Sequence, residues 1–440
     1  MKQLVSIQVS DLFGYLNHEI SLERERGITI LHGANGTGKT TILRAIDQLS
    51  RSVPQSLMQA NFKIFKLVFE DNSSIVVRKE DKQLSLALYQ GNKHVGTVNT
   101  KAIFSRDSER RWLVRLRDAA RRDEMSRIQQ SFWDLDDALA STLRPDDMEA
   151  LMRYELLGSD SLRAARGGNI PSWLDSFWKN FECTLIEEQR LFRISEEQKR
   201  GPPLFKRVVE DYAGALRTKI KDALGSYAEH SQQLDRTFPR RVIEALESDP
   251  PDSTALSLRL EEIEKRRQEL HSAGLMEKEA ALTGFDAQKL SRGDVAKTLS
   301  VYAADTESKL KKFEDIYQRI TMFEGLMNSH HLTHKTVRVS KDKGLEFTIT
   351  DTGASLDPAS LSSGEQHMLV LFYELIFGRF KPGHLILIDE PELSLHPAWQ
   401  LRFIDDLERV RSINKVDFVL ATHSPQIIGS NWTLARELSV

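Results

Sequence analysis

The sequence predicts an α/β fold, a mixed sheet joined to an antiparallel β subdomain, with a helical insertion and a short coiled-coil arm. Three observations predict it: apolar runs of strand length fill residues 1–100, helix-spaced apolar residues fill 203–330, and strands alternate with helices again over 331–440. Because strands recur at both ends of the chain, we expect the ends to form two lobes of one head. Residues 101–202 are then a helical insertion between the N-terminal lobe and the arm.

The composition argues against several classes of protein. The 440 residues carry 61 Lys and Arg against 64 Asp and Glu, a net charge of −3, so no bulk positive field favours nucleic acid. The single cysteine, Cys183, makes a disulfide framework within the chain impossible and fits a reducing cytosol. No run of about 18 apolar residues occurs, and Met1–Ile7 lacks the pattern of a signal peptide. We therefore expect a cytoplasmic protein that does not enter a membrane.

The first lobe begins with strands. Apolar or alternating runs of strand length occur at Leu4–Val9, Ile28–Leu31, Phe65–Phe69, Ile75–Val77 and Leu84–Leu88. The turn residues Asp71-Asn72 lie between two of these runs and predict a hairpin. This end of the chain is therefore expected to supply the antiparallel part of the head.

A glycine-rich segment follows the second of these runs. Gly33–Thr40 matches the P-loop pattern G-x-x-x-x-G-K-[ST], and a helical pattern, Ile42–Leu49, comes next. Glycines let the backbone wrap round phosphates with its N–H donors facing inward, and the helix N-terminus adds a positive dipole end. Lys39 should reach the β- and γ-phosphates, and Thr40 should ligate Mg²⁺. The expected nucleotide-binding residues of this segment are Asn35, Gly36, Gly38, Lys39, Thr40 and Thr41.

The middle of the chain has the spacing of helices that pack on one another. Leu256, Leu260, Ile263 and Leu270 follow the 4-3 rhythm of a coiled coil, which is broken at Arg267. Asp249-Pro250-Pro251 and Gly274 interrupt the pattern, so one long rod is excluded. We expect several packed helices that end in a modest coiled-coil hairpin.

Towards the C-terminus, the apolar strand Leu385–Ile388 leads directly into Asp389 and Glu390. A buried parallel strand would bring Asp389 to the phosphate edge of a sheet, where its carboxylate can hold Mg²⁺. Glu390, one residue further on, suits a group that positions or deprotonates the attacking water. The alternative is a buried strand that merely ends in polar residues, and the P-loop in the same chain argues against it.

Two other segments accompany that strand. Leu361–Gln366 precedes a helix and on its own would be no more than a helix cap. Ala421–Ser424 ends another apolar strand and contains His423. With the P-loop first, then Leu361–Gln366, Asp389-Glu390, Ser394–Pro397 and Ala421–Ser424, the chain resembles ABC-type ATPases. In that family these places belong to the signature, the Walker B strand, the D-loop and the H-loop.

The resemblance implies an ABC-type P-loop head that hydrolyses ATP with Mg²⁺. It implies a head-to-tail homodimer or a higher homo-oligomer, in which Ser362 and Gly364 contact the γ-phosphate of ATP bound by another subunit. His423 would contact the γ-phosphate within its own subunit. Glu390 and His423 are therefore the expected catalytic residues.

The Q-loop of such a head is harder to place. Gln189 follows a short apolar strand at the end of the predicted insertion and is the candidate, with an ordinary surface glutamine as the alternative. In the ABC arrangement Gln189 would join Thr40 and Asp389 around Mg²⁺. The expected metal-binding residues are thus Thr40, Asp389 and Gln189.

Three groups of ABC-type ATPases remain open. The long helical insertion argues against a transporter subunit, and the middle is too short and too broken for the long coiled coil of an SMC or Rad50 protein. Glu392–Pro397 and Ala421–Gln426 are similar to the OLD-like (AAA15/AAA21) group used in bacterial anti-phage defence. Because the sequence ends shortly after His423, we expect a member that works with a separate effector. The ATPase subunit of the PARIS system is the most similar, and the Septu ATPase is the next candidate.

The OLD-like resemblance implies partners. A separately encoded nuclease, of the Toprim type first and the HNH type second, would be held and released by the ATPase as it senses a phage protein or DNA. An arginine-rich segment, residues 101–127, suits an acidic protein or DNA as well as a plain solvated helix. The alternative function is that of an SMC- or Rad50-like ATPase in DNA repair or DNA-end binding.

Overall fold

The structure is a computed structural model that describes residues 1–50, 57, 60–80, 83–99, 170–186, 192–195, 204–277 and 292–439. The chain divides into two compact units. The first combines Met1–Gln189 with Arg379–Val440, and the second is Arg190–Gly378. The predicted nucleotide-binding ends therefore fall in the first unit, whereas the predicted signature falls in the second.

The described strands are numbered in chain order. They are β1 (Leu4–Leu12), β2 (Leu16–Ser21), β3 (Ile28–His32), β4 (Ile64–Phe69), β5 (Ser73–Glu80), β6 (Gln83–Gln90), β7 (Lys93–Asn99), β8 (Cys183–Ile186), β9 (Phe192–Ser195), β10 (Leu204–Arg207), β11 (Lys335–Ser340), β12 (Gly344–Ile349), β13 (Ser355–Leu356), β14 (Leu385–Asp389), β15 (Asp417–Thr422) and β16 (Ala435–Glu437).

The described α-helices are numbered in the same way. They are α1 (Lys39–Ser50), α2 (Ser172–Asn180), α3 (Val208–Leu246), α4 (Ser253–Ser272), α5 (Gly293–Leu310), α6 (Glu314–Leu326), α7 (Ser363–Phe377), α8 (Pro397–Gln400), α9 (Phe403–Asn414) and α10 (Pro425–Ile428).

A parallel sheet in the first unit positions the predicted catalytic segments. Among the described strands its order is β16-β3-β15-β14-β8, and each neighbouring pair is parallel. Strands β3, β14 and β15 are almost wholly buried, as expected of a parallel sheet covered on both faces. In register, Thr422 pairs with His32 and Asp389 with Ala421. The ends of β3, β14 and β15 therefore meet at one edge.

The second sheet of the first unit is antiparallel, with the order β2-β1-β4-β5-β6-β7. The hairpin predicted at Asp71-Asn72 is confirmed: β4 pairs with β5, and Asn72 adopts the left-handed backbone conformation (φ 59°) that asparagine tolerates in turns. Helix α1 buries Ile42, Leu43 and Ile46 in an apolar core shared with residues of both sheets. That burial fixes the helix that begins at Lys39.

The second unit contains helices and, among its described strands, a two-stranded sheet, β9-β10, and a three-stranded sheet, β11-β12-β13. Helix α5 packs against both α3 and α4. Of the predicted stripe, Leu256, Ile263 and Leu270 are buried, whereas Leu260 is half-buried. Arg241 of α3 and Asp305 of α5 join two of the helices by a paired ion contact, with Nη2 to Oδ2 at 2.6 Å. The predicted packed helices are thus present in the described part of this unit.

The small sheet β11-β12-β13 also belongs to the second unit, although we expected residues 331–440 to form one C-terminal lobe. Side chains of the preceding helical segment hold its first strand: Asn328 bonds both backbone groups of Val337, and a carboxylate oxygen of Glu324 accepts the N–H of Val339 at 2.6 Å. These contacts bind β11 to the helices that precede it.

Helices α8 and α9 are separate, because the chain turns at Leu401-Arg402. Among the residues that the structure describes, no helix has the length and apolarity needed to cross a membrane.

Candidate functional site

The P-loop joins β3 to α1 and is shaped by glycines with positive φ. Gly33, Gly36 and Gly38 have φ of 151°, 85° and 91°, a region that favours glycine. A Cβ on Gly38 would lie 2.3 Å from the Leu12 side chain, and one on Gly33 would lie 2.5 Å from the carbonyl oxygen of Leu438. Gly36 has open space instead, with no atom of the described structure within 4 Å of an added Cβ. The loop therefore has a packed base and an open tip.

The other nucleotide residues predicted in this segment are also placed by the loop. Asn35 is exposed at the loop tip, and Thr41 is half-buried in the first turn of α1. A fixed anchor lies beneath them: Nε2 of the buried His18, on β2, lies 2.9 Å from the carbonyl oxygen of Thr37. No sequence pattern pointed to His18, because the antiparallel strand that carries it has no motif.

Lys39 lies against the inside of the loop. Its ammonium donates to the carbonyl oxygens of Gly33 and Ala34, each at 3.0 Å, and lies 3.4 Å from Nδ1 of His423. Burial lowers the pKa of Lys39, while the carboxylates of Glu390, then of two neighbouring acidic residues, act in the opposite direction. The structure thus brings a cation and several carboxylates to one edge of the parallel sheet.

Thr40 and Asp389 meet across that edge. The hydroxyl of Thr40 donates to Oδ1 of Asp389 at 3.1 Å, although 349 positions separate the two residues. A hydroxyl and a carboxylate oxygen are the kind of ligands that Mg²⁺ takes in nucleotide sites. The donor set present here therefore fits Mg²⁺. Gln189, the third metal-binding residue expected from the resemblance, lies outside the described residues.

Glu390 and His423, the two predicted catalytic residues, also meet. Oε1 of Glu390 lies 3.5 Å from Nε2 of His423. Glu390 has a left-handed backbone (φ 45°, ψ 52°), which is costly for a residue with a side chain and is typical of functional sites. Its N–H donates to the carbonyl of Ala421 at 2.9 Å. The strain turns the chain out of β14 and directs the carboxylate towards His423.

Hydrogen bonds made by the side chains of Glu392 and Gln400 join the turns that follow β14 and β15. No role for either residue was predicted from the sequence. A carboxylate oxygen of Glu392 accepts the backbone N–H of His423. The hydroxyl of Ser424 donates to Oε1 of Gln400 at 2.6 Å, and Nε2 of Gln400 donates to the carbonyl of Leu395 at 3.1 Å. The partners of the buried Gln400 come from other segments of the chain, so sequence spacing alone could not reveal its role.

The predicted signature lies in the second unit, at the start of α7. Ser362 is the N-cap of the helix, and with Glu365 it forms a capping box. Oε2 of Glu365 accepts two hydrogen bonds from Ser362, one from its backbone N–H at 2.7 Å and one from the Ser362 hydroxyl at 2.9 Å. The same oxygen accepts from the ammonium of Lys335 at 2.7 Å. Burial raises the pKa of Glu365, but the bonds from Lys335 and Ser362 outweigh it and leave the pKa below its usual value. Ser362 is exposed, and Gly364 is half-buried in the first turn.

Two curated proteins are similar to part of this chain. The chain is 28% identical to the retron Vc95 probable ATPase of Vibrio cholerae serotype O1 biovar El Tor, over 21% of this chain and 20% of that protein. It is 27% identical to the chromosome partition protein Smc of Cereibacter sphaeroides (strain ATCC 17029 / ATH 2.4.9), over 44% of this chain and 18% of that protein. The chain thus matches only about a fifth of the length of these curated relatives.

A solved structure is similar over most of the chain. It is the Smc head domain with an extended coiled coil bound to the C-terminal domain of ScpA, from Pyrococcus furiosus. The identity is 15% over 97% of this chain and 91% of that chain, with a TM-score of 0.39. The fold class is established by the parallel sheet and the P-loop described above.

One family matches most of the sequence, residues 28–429, and its description is "AAA domain, putative AbiEii toxin, Type IV TA system". The match includes the P-loop, the Walker B strand and the His423 turn. The predictions of a P-loop ATPase fold and of an ATPase are therefore confirmed at the level of the family. The chain belongs to this AAA family.

Proposed function

We propose that this chain binds and hydrolyses ATP at sites completed by another copy of itself, and that it acts as sensor and scaffold of a bacterial anti-phage defence complex. The observation that carries the ATPase part is the meeting of Lys39, Thr40, Asp389, Glu390 and His423 at one edge of the parallel sheet. They come from opposite ends of the sequence, and their chemistry is that of phosphoryl transfer to water.

Binding of the triphosphate rests on the P-loop. The backbone N–H groups around Gly36 and the N-terminus of α1 offer donors to anionic oxygens, and the open space at Gly36 admits a ligand close to the backbone. Lys39, now bonded to two loop carbonyls, would exchange those neutral acceptors for charged phosphate oxygens. The charge-assisted contacts are the stronger ones.

Thr40 and Asp389 would hold Mg²⁺, which when bound neutralises charge that develops on the phosphates. Glu390 would orient a water molecule and accept its proton, since its carboxylate lies at the rim of the same edge. His423 lies between Lys39 and Glu390, where an imidazole can hydrogen-bond the γ-phosphate while it fixes the carboxylate. Each of these roles uses a side chain that the parallel sheet brings to the same edge.

The second half of the site would come from another copy. Ser362 and Gly364 lie at the N-terminus of α7, where a hydroxyl and free N–H groups suit an anion. In ABC-type ATPases, which this chain resembles, that segment contacts the γ-phosphate bound by a second subunit. We therefore propose an ATP-dependent homodimer or a higher homo-oligomer.

The defence role is supported by the OLD-like motifs and by the likeness to a retron probable ATPase. In this proposal the oligomer holds a separate nuclease, of the Toprim type first and the HNH type second, and releases it when a phage protein or DNA is sensed. The similarity to the PARIS ATPase subunit favours the Toprim type, and the Septu ATPase stays the next candidate.

A second candidate is an ATPase of the SMC or Rad50 kind that acts in DNA repair or DNA-end binding. The likeness to a chromosome partition protein Smc over part of the chain favours it. The two candidates share the site and differ in the partner. The product of the neighbouring gene discriminates between them: a Toprim or HNH nuclease supports defence, and an exonuclease of the Mre11 kind supports repair.

Two measurements on the purified chain test the ATPase part. Phosphate release with ATP and Mg²⁺ should be slow but measurable, and it should stop when EDTA is added. Glu390→Gln should bind ATP without turnover and therefore accumulate as an oligomer in mass photometry with ATP but not with ADP. Wild-type protein that releases no phosphate contradicts hydrolysis, and a Glu390→Gln protein that stays monomeric with ATP contradicts the shared site.

A third measurement tests the defence part. The chain is co-expressed with the product of its neighbouring gene, and the pair is purified through a tag on this chain with ATP present. We expect the nuclease to co-purify and the pair to protect cells against phage, whereas the Lys39→Met variant should not protect. Protection that persists in Lys39→Met, or a neighbour that does not bind, contradicts the proposal.

A further inference from the structure

We propose that Glu392 is a positioning residue of the ATPase site, which holds His423 in place between Lys39 and Glu390. The inference rests on the proposed ATPase function. It concerns a residue that follows the Walker B strand by three positions. Nothing in the sequence pattern or in the family match assigns it this role.

The first observation is a bond between two strand ends. Parallel pairing of β15 with its neighbours ends at Thr422, so the N–H of His423 has left the sheet ladder. Glu392, in the 3₁₀ turn Pro391–Ser394 after β14, accepts that N–H with a carboxylate oxygen. A bond to an ionised carboxylate is about twice as strong as one between neutral groups. The turn after β14 thus holds the first residue of the turn after β15.

The second observation is how narrowly the imidazole of His423 is placed. Its Nδ1 lies 3.4 Å from the ammonium of Lys39, and its Nε2 lies 3.5 Å from a carboxylate oxygen of Glu390. Both distances exceed an ideal hydrogen bond, so neither contact can hold the ring firmly. The backbone must therefore hold it, and the N–H of His423 is the backbone group that Glu392 binds.

The third observation is that a second clamp supports the same turn. Ser424 donates to the buried Gln400, and Gln400 donates back to the carbonyl of Leu395 in the segment that carries Glu392. Bonds at positions 423 and 424 therefore tie this turn to the segment after β14. Of the two contacts, the one made by Glu392 is the one that bonds His423 itself.

The fourth observation concerns charge. The other carboxylate oxygen of Glu392, Oε2, is buried and has no hydrogen-bond partner within the described part of the chain. The carboxylate thus makes one bond to the backbone of His423 and brings a negative charge to the same edge of the sheet. Glutamine keeps the acceptor for His423 and removes the charge, which makes Glu392→Gln the matched comparison for Glu392→Ala.

The test is a double-mutant cycle with kcat and KM for MgATP in the wild type, Glu392→Ala, His423→Ala and the double variant. If Glu392 acts through His423, Glu392→Ala should lower kcat about tenfold with KM changed less than about twofold, since one charged hydrogen bond is lost. The double variant should be no slower than His423→Ala. Glu392→Gln should recover most of the lost rate, and the exposed Glu437→Ala should match the wild type.

Amide hydrogen exchange supplies a readout that needs no turnover. The peptide that contains His423 should exchange about tenfold faster in Glu392→Ala than in the wild type, and Glu392→Gln should restore its protection. Multiplicative losses in the double variant, or unchanged exchange in Glu392→Ala, would overturn the positioning role. If the wild type releases no phosphate while exchange responds as expected, the proposed ATPase function fails and the positioning contact stands.

Discussion

The P-loop of the first unit and the predicted signature of the second both lie at helix starts that we propose to bind anions, but the chain holds them by different means. The P-loop is held by backbone shape: Gly33 and Gly38 have positive φ and lie too close to their neighbours for any side chain. The signature is held by charge, because a single oxygen of Glu365 accepts from Ser362 twice and from Lys335 once. Backbone shape does not titrate or respond to salt, whereas a carboxylate with one ammonium partner does both.

The P-loop and the signature should therefore respond to different kinds of substitution. In the first unit, glycines or strained residues must be changed to disturb the loop itself, and the functional groups can be removed one at a time. In the second unit, changing one charge should loosen the cap that orients Ser362. We expect changes at Glu390, Lys39, His384 and Lys335 to have progressively weaker effects.

The largest effect should come from Glu390. Glu390→Gln and Glu390→Gly should both slow ATP hydrolysis by about 1,000-fold, since each removes the proposed base. Glycine relieves the left-handed backbone at this position, so Glu390→Gly should be more stable than Glu390→Gln by about 1 kcal/mol. Phosphate release and urea unfolding measure the two quantities. A glycine variant less stable than the glutamine variant would show that the backbone here is not strained.

The next effect concerns Lys39. Lys39→Met should weaken ATP binding about 100-fold, since a charged contact to phosphate is lost while the glycine-built loop stays intact. Titration with a fluorescent ATP analogue measures the affinity, and Lys63→Met, at an exposed lysine of the same unit, is the control. Equal affinities in the two variants would mean that the loop does not bind the triphosphate through Lys39.

A third effect is a pH dependence of stability in the first unit. Burial, with a smaller contribution from Lys381 and against the effect of Glu182, lowers the pKa of His384 from 6.5 to about 4. The unfolded chain therefore binds a proton at His384 below about pH 6.5, while the folded chain stays neutral down to about pH 4. The free energy of unfolding therefore keeps its full value from this group above pH 6.5. It falls by at most about 3 kcal/mol as the pH is lowered to about 4.

Urea unfolding at pH 7 and pH 4.5 checks this dependence. The wild type should lose more stability between the two values than His384→Gln, since glutamine takes up no proton. His94→Gln, at an exposed histidine of the same unit, is the control and should follow the wild type. If His384→Gln loses as much stability as the wild type between pH 7 and pH 4.5, protonation of His384 is not the cause of the loss.

The smallest effect should be in the signature. Lys335→Gln removes the cation beside Glu365 and should destabilise the capping box by about 1 kcal/mol, with a loss of turnover of a few fold and unchanged ATP affinity. The cap depends on an ionised Glu365, whose pKa lies below its usual value. Its contribution is therefore complete above pH 4.5 and is lost as the pH falls through the lower folded value. Lys343→Gln, at an exposed lysine of the same unit, is the control, and equal turnover of the two variants would contradict the charge-held signature.

Much of the site could be predicted because its chemistry demands particular residues at fixed spacing. Phosphate binding by a backbone needs Gly33, Gly36 and Gly38 before Lys39, so the P-loop was recognisable without any structure. A buried strand that ends in Asp389 and Glu390 is similarly constrained. The hairpin at Asp71-Asn72 followed from local turn chemistry, and the buried positions of α4 followed from helical periodicity.

Other features could not be predicted because they depend on contacts between distant segments. His18 anchors the P-loop from an antiparallel strand, and Glu392 and Gln400 clamp the turn at His423 from the neighbouring strand end. No local pattern requires a polar residue at these positions. The placement of β11 with the helices before it also depends on side chains, those of Glu324 and Asn328, that bond its backbone.

Residue type and spacing were enough to predict the fold class, the phosphate-binding loop and the acidic pair Asp389-Glu390. The folded structure was needed to show that the Thr40 hydroxyl bonds Asp389 directly and that His423 lies between Lys39 and Glu390. It was also needed to show that Glu365 bonds Lys335 within the second unit. The physical reason is that parallel strands bring their ends together whatever their separation along the chain, and the register that sets the distances is a property of the folded sheet.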